Sequence, residues 1–209
     1  MKKKILAFIA CLFLSINVFS SSFYEGQQYI KLCNPVSDAP QLLEFFSFYC
    51  PHCYQFEEVY QISTKIKKFL PYDIKIVRYH VDFLGKMGKQ LTRAWAVAVA
   101  MGIEDEINRL IFEAVHKNKN MSINSFEDIR RVFLQFGVNP EQYDLFWNSS
   151  FVNNLVNQQQ KAVADFKLRG VPAIFVNGKY MIKNDALDTS SVDKYIKQFG
   201  ELLSVLIEK

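Results

Sequence analysis

The stretch Leu42-Leu43-Glu44-Phe45-Phe46-Ser47-Phe48-Tyr49-Cys50-Pro51-His52-Cys53-Tyr54-Gln55-Phe56 decides how this 209-residue chain folds. Leu42 to Phe48 is nearly continuous in bulky apolar side chains, as expected of a central strand covered on both faces. Beyond Cys53, the residues Phe56, Val59, Tyr60, Ile62, Ile66, Phe69 and Leu70 recur at helical spacing until Pro71 stops the pattern. The two cysteines therefore sit where a strand turns into a helix.

Working outward, Gln28 to Leu32 reads as an edge strand ended by Asn34 and Pro35, and Ile74 to Val81 as another strand. From about Phe83 to Arg169 the pattern is helical throughout. Helices are expected from Lys89 to Met101, closed by Gly102; from Glu104 to Lys117; from Ser125, whose spacing to Asp128 resembles a capping box, to Gly137; from Asn139-Pro140; and from Phe151 to Arg169, ending at Gly170. Ala173 to Val176 and Lys179 to Ile182 flank Asn177-Gly178, the strongest short hairpin signal. Ser190 is expected to cap a last amphipathic helix carrying Val192, Tyr195, Ile196, Phe199, Leu202, Leu203 and Leu206. The order describes a mixed α/β domain interrupted by an all-helical insertion. Phe45, Phe46, Phe48 and Trp95 are expected in the core.

Half of the residues are hydrophobic and 22% are charged, the balance of a folded globular protein. The start differs: Lys2, Lys3 and Lys4 precede an apolar run from Ile5 to Leu14, then Ser15, Asn17 and serines 20 to 22, which is the order of a signal peptide. The run falls short of the roughly 20 residues needed to span a bilayer. Val18 and Ser20 suit a cut before Ser21, with a cut two residues later also open. Removing residues 1–20 takes away three lysines and no acids, so the formal charge falls from +4 to +1. The basic character belongs mostly to the leader and argues for neither a nucleic-acid nor an anionic-membrane partner.

Cleavage leaves Cys33, Cys50 and Cys53, an odd count that does not describe a disulfide framework. In an oxidising compartment a pair two residues apart is better suited to a working disulfide than to a staple, because it closes too short a loop to restrain the unfolded chain. A local staple and half of a zinc site are the competing readings. Zinc would need further ligands, and Cys33, His80 and His116 are scattered. At a helix N-terminus, unpaired backbone N–H groups and the macrodipole favour a thiolate on Cys50. His52 adds a donor or a positive charge, unless it is only a solvated turn residue. Each unit by which the thiolate pKa falls below ambient pH stabilises the reduced form by about 1.4 kcal/mol, or about 30 mV for a two-electron couple. Cys53, one turn deeper, is then the resolving thiol. Glu44 lies in an apolar strand, where a carboxylate is costly unless paired or protonated, or else reaches solvent from the strand end. Cys33 is open to two readings, a reactive thiol or a buried filler, with filler favoured because unpaired cysteine is often buried.

The run Glu44 to Glu58, together with Tyr79-His80-Val81, Arg93-Ala94-Trp95-Ala96-Val97-Ala98 and Leu168 to Tyr180, resembles the DsbA family of periplasmic dithiol oxidases of Gram-negative bacteria, over essentially the whole mature chain. The resemblance implies a thioredoxin-like domain at 21–82 and 159–209, a helical insertion at 83–158 and a signal peptide at 1–20. It implies Cys50 as the exposed nucleophile and Cys53 as its buried partner, with Pro51 and His52 modulating them. Val171-Pro172, otherwise a strand-entry proline, matches the cis-proline segment beside the disulfide. Glu44 matches the family's buried acid. A lowered thiol pKa is an established property of thioredoxin and DsbA themselves. No cofactor or metal is implied beyond the Cys50–Cys53 disulfide. The implied partners are exported proteins with free thiols and a DsbB-like quinone-linked membrane oxidase, and the chain is expected to act as a monomer. A reductase or isomerase on the same fold is the alternative, the leader arguing against a cytosolic reductase and the lack of an added dimerisation region against an isomerase. A metal-binding module using Cys50, His52 and Cys53 is the alternative of a different class.

Overall fold

A computed structural model describes residues 22–117 and 123–209, so the expected signal peptide at 1–20 and its cut before Ser21 lie outside the described residues. Five strands form one mixed sheet in the order β1-β5-β4-β2-β3: β1 Tyr29–Lys31, β2 Leu42–Phe46, β3 Ile76–His80, β4 Ala173–Val176 and β5 Tyr180–Ile182. β2 is parallel to β3, and the remaining pairs are antiparallel. Every residue of β2 is buried, as its unbroken apolar run demands. Strand alternation then divides its side chains. Leu42 faces a core with Ile174, Val176, Phe56, Ile62 and Phe199, whereas Leu43 and Phe45 face Tyr79, Phe166 and Phe175. Phe45 packs edge-on against Tyr79, Phe166 and Phe175 at ring-centre distances of 6.0, 5.5 and 5.7 Å.

The segment after the cysteines departs from the single helix expected. α1, Pro51–Tyr54, widens into a π-turn over Gln55–Val59, where Tyr60 N–H bonds the Gln55 carbonyl. Gln61 then takes a left-handed conformation at φ 54° before α2, Ile62–Ile66, and a short 3₁₀ turn over Lys67–Phe69. The extra residue in the turn rotates Val59 and Tyr60 out of the core, to 52% and 40% exposure, and keeps Phe56, Ile62 and Ile66 inside.

Between β3 and β4 the chain forms α3 Gly88–Met101, α4 Glu104–His116, α5 Phe126–Phe136, α6 Pro140–Trp147 and α7 Ser150–Asp165. The local signals act as expected. Gly102 and Gly137 close α3 and α5 with φ of 68° and 106°. Ser125 and Asp128 form the reciprocal capping box. α7 ends at Asp165 instead of near Gly170. Lys167 is left-handed at φ 48°, and Phe166 turns inward against Phe175, 4.4 Å between ring centres, so tertiary packing overrides the helical pattern. α7 runs unbroken through residues 158 and 159, with Val152 in the helical core and Phe166 in the sheet core. The helices also cover the outer edge of β3: Trp95 Nε1 donates to the Arg78 carbonyl and Gln159 Oε1 accepts from His80 N–H, both at 2.9 Å.

In the β4–β5 hairpin Asn177 and Gly178 have φ of 52° and 62°, the two positive angles of a type I′ turn. Asn177 Nδ2 also donates to the carbonyls of Leu206 and Ile207 at the end of the last helix, α8 Val192–Ile207. α8 is capped by Ser191, one residue beyond the serine expected, whose hydroxyl accepts from Lys194 N–H. Cys33 is exposed, against the expectation of a buried filler; it lies just past the short edge strand β1, where nothing covers its side chain.

Gly178 combines a left-handed backbone with a close approach, since a Cβ there would lie 2.1 Å from the Val36 carbonyl oxygen. Gly178→Ala is therefore expected to destabilise the protein by about 2–4 kcal/mol, read as a lowered urea midpoint at unchanged m-value.

Candidate active site

β2 delivers the chain to Ser47, whose carbonyl accepts the Cys50 N–H at 3.0 Å and bends the backbone into α1. Cys50 is the N-cap residue of α1, in extended conformation with φ −86° and ψ 113°. Its sulfur stands where a capping oxygen would, accepting the Cys53 N–H at 3.1 Å. Pro51 occupies the first helical position, where a missing N–H leaves no donor unmet. Across the site the Val171–Pro172 peptide is cis, and the Cys50 thiol donates to the Val171 carbonyl at 3.4 Å. Asn184 Nδ2 holds the Pro172 carbonyl at 3.2 Å. Both cysteines are thiols in this structure; Cys53 is fully buried as expected, whereas Cys50, expected to be exposed, is only 5% exposed because its sulfur lies against the Val171 carbonyl.

These contacts separate the two sulfurs chemically. The Cys50 thiol pKa is pulled down to about 7, first by the hydrogen bond from the Cys53 thiol and then by the backbone N–H groups of Cys53 and His52, against the opposing effect of burial. Cys53 is driven far upward, first by burial, then by its hydrogen bond to Cys50, the Cys50 charge and the Glu44 charge. One sulfur is made ready to be an anion, and the other to keep its proton. His52 contributes through its backbone N–H, and its exposed ring lies along a groove of about 590 Å³ with Phe56, Tyr60, Pro172, Val192 and Tyr195.

Glu44 is 1% exposed, which rules out the solvent-reaching reading. In the parallel β2–β3 pairing it lies opposite Arg78, whose Nε donates to Glu44 Oε2 at 3.2 Å. Arg78 is also 3.6 Å from Glu57, donates to Asn108, and lies 4.3 Å from the centre of the Phe46 ring. Ser63 donates to Glu44 and Glu57. Despite the guanidinium, the Glu44 carboxyl is raised to about 8, because burial outweighs everything else and Glu57 adds its charge. Glu44 Oε1 and Arg78 Nη2 find no hydrogen-bond partner among the described residues.

The structure thus brings Glu44, Cys50, Pro51, His52, Cys53, Val171 and Pro172 into one neighbourhood. It adds residues that sequence reasoning missed. His80, read only as a scattered histidine, accepts the Phe48 N–H on Nε2 at 3.1 Å, so its Nδ1 carries the proton toward Thr92 Oγ1 at 2.8 Å. Burial, with Arg78 nearby, pushes its pKa down to about 3 and keeps it neutral. Arg78 had a usable signal, a basic residue inside a buried strand run that pairs with the strand bearing Glu44. Asn184 had none. Among the described residues no three His, Cys, Asp or Glu side chains cluster as metal ligands.

A family model described as the DSBA-like thioredoxin domain matches residues 41–195. The chain is 54% identical over 209 residues, covering all of both proteins, to the thiol:disulfide interchange protein DsbA of Pectobacterium carotovorum subsp. carotovorum. It is 55% identical over 194 residues to the DsbA of Yersinia pestis, covering 93% of each chain. The crystal structure of the disulfide oxidoreductase DsbA from Proteus mirabilis superposes with a TM-score of 0.85 at 48% identity, over 90% of this chain and 98% of that one. A cysteine-to-serine variant of the Proteus mirabilis protein has been solved with a non-covalently bound peptide, PWATCDS, with a TM-score of 0.86 at 48% identity, over 90% of this chain and all of that one. On this likeness in sequence and fold, the chain belongs to the DSBA-like thioredoxin-domain family.

Proposed function

We propose that this protein is a dithiol oxidase that passes a Cys50–Cys53 disulfide to newly exported proteins. Family membership supplies the reaction class, thiol–disulfide exchange on a thioredoxin fold. The observation that carries the direction of transfer is the Cys50 sulfur, held near pKa 7 first by the Cys53 thiol and then by the N–H donors at the start of α1. A low thiol pKa stabilises the reduced protein and makes its disulfide the better oxidant.

In the proposed cycle a client thiolate attacks the Cys50 sulfur of the disulfide. A client–Cys50 bond forms, the Cys50–Cys53 bond breaks, and Cys53 leaves with the electron pair and takes up a proton. A second client thiolate then attacks the client sulfur bonded to Cys50, forming the client disulfide and releasing Cys50 as a stabilised thiolate. The client loses two electrons and the protein gains them. Glu44 is the buried acid that exchanges a proton with Cys53, its carboxyl near pKa 8 being suited to both directions near neutral pH. Val171 and the cis Pro172 form the wall on which a client backbone pairs, as the peptide-bound relative invites. The His52 ring faces the client at the groove. Residues 83–158 act as the helical insertion between the thioredoxin-like parts at 21–82 and 159–209. The setting is the periplasm, reached with the leader at 1–20, and reoxidation comes from a DsbB-like quinone-linked membrane oxidase acting on the monomer.

With a reduced client, Cys50→Ser is expected to abolish oxidative refolding and Cys53→Ala to accumulate mixed disulfides visible on non-reducing gels; equal activity in all three proteins overturns the proposal. The folded Cys50 pKa lies below the unfolded thiol value of about 8.5, so the extra stability of the reduced fold is complete above that value and is lost as pH falls through about 7. The equilibrium constant for reduction by glutathione should accordingly rise by up to about tenfold per pH unit between about 7 and 8, and flatten below about 7. Glu44 has the opposite sign. Its folded pKa is raised from 4.5 to about 8, so wild-type stability declines as pH rises through that window. Urea midpoints should show Glu44→Gln gaining on wild type from pH 4.5 to pH 8, while the attack of a client thiol on its disulfide, the step in which Cys53 takes up a proton, slows at least about tenfold.

A further inference from the structure

His116 is the last residue of α4, and it touches the chain on both sides of the cysteine pair. Its Nε2 lies 2.8 Å from the Phe48 carbonyl oxygen, two residues before Cys50. Its ring stacks on Tyr54, the residue after Cys53, with centres 4.8 Å apart and planes inclined by 21°. The ring of Phe112, one turn earlier in α4, lies 5.9 Å away. A carbonyl only accepts, so His116 Nε2 carries the proton and donates. The neutral and charged imidazoles both offer that donor, and burial lowers the pKa of His116 and favours the neutral form.

The opposite side of Phe48 is held as well. Its N–H donates to His80 Nε2, and His80 is braced by Thr92 of α3. Two imidazoles from different elements therefore fix the amide and the carbonyl of one residue, one accepting and one donating. The next turn of backbone carries the Cys53 N–H that meets the Cys50 sulfur at 3.1 Å. Hydrogen bonds weaken steeply with misalignment, so the value of that donor depends on how firmly both ends of the segment are held.

We propose that His116 is a positioning residue for the dithiol: its Nε2–H bond to Phe48 locks the entry to α1 so that the N–H donors stay aimed at Cys50. The α4 helix thereby acts on the redox centre without touching either sulfur. A bland role, stacking at the end of α4, is separable from this one because the two need different atoms. In Gln the amide nitrogen is as many bonds from the backbone as Nε2 is in His, so His116→Gln keeps the donor and loses the ring. His116→Phe keeps the ring and loses the donor.

The inference rests on the exchange reading of Cys50–Cys53, and the test separates the two. The Cys50 thiolate is titrated by absorbance near 240 nm in the reduced full-length protein, and the glutathione equilibrium is measured at pH 8. His116→Phe should raise the titration midpoint by about one unit and lower the equilibrium constant for reduction about fivefold, while His116→Gln stays within about twofold of wild type. A low wild-type midpoint with an unshifted Phe variant, or with a Gln variant shifted as far as Phe, overturns the inference alone. A wild-type midpoint like that of ordinary cysteine overturns the exchange reading with it. Nitrogen-15 NMR of the wild type gives a second test that needs no substitution: His116 is expected as the Nε2–H tautomer, and the Nδ1–H tautomer overturns the proposal.

Discussion

Everything distinctive in this molecule converges on the bond from the Cys53 N–H to the Cys50 sulfur. A helix N-terminus ordinarily meets its first free N–H groups with a serine, threonine or aspartate oxygen, as α5 and α6 do through Ser125 and Asn139. Here a sulfur has that place. The demand of the helix for a capping acceptor and the demand of a thiolate for a nearby donor are met in one contact, at a residue that is itself largely buried. The length of α1 matters less than its first turn, because α1 is only Pro51–Tyr54 before the backbone widens. The effect comes from individual donors within reach of the sulfur more than from a long aligned dipole.

Beneath that turn lies a set of charges that a structure built for stability alone would avoid. Glu44, Arg78 and Glu57 are held together with little access to water, and Glu44 and Arg78 each leave one polar atom without a partner among the described residues. Replacing such a group by apolar residues is often neutral or stabilising. Its proximity to Cys53, felt as charge on that thiol, gives the cluster a chemical use in place of a structural one.

How much of this could be read from the chain depended on the range of the interactions. The β2 strand and its turn into α1, the Asn177-Gly178 hairpin, the Ser125–Asp128 box and the closing glycines Gly102 and Gly137 are set by residues a few positions apart, and all were legible. The π-turn after Tyr54 was not, since apolar spacing alone does not reveal an inserted residue. The early end of α7 depended on Phe166 finding Phe45 and Phe175. At the site, the cysteines were plain, Glu44 was anomalous enough to notice, and the grip of His80 and His116 on Phe48 was invisible. Those partners lie 32 and 68 residues away in the chain, and nothing local marks them.

The treatment of the sheet's borders has a further consequence. β3 is stoppered by an indole from α3 and an amide from α7, and at the other border β1 is three residues long and soon followed by Pro35. An open sheet edge is a template on which another polypeptide can extend a strand. With both borders unattractive as templates, the sheet offers another polypeptide little purchase for cross-β growth.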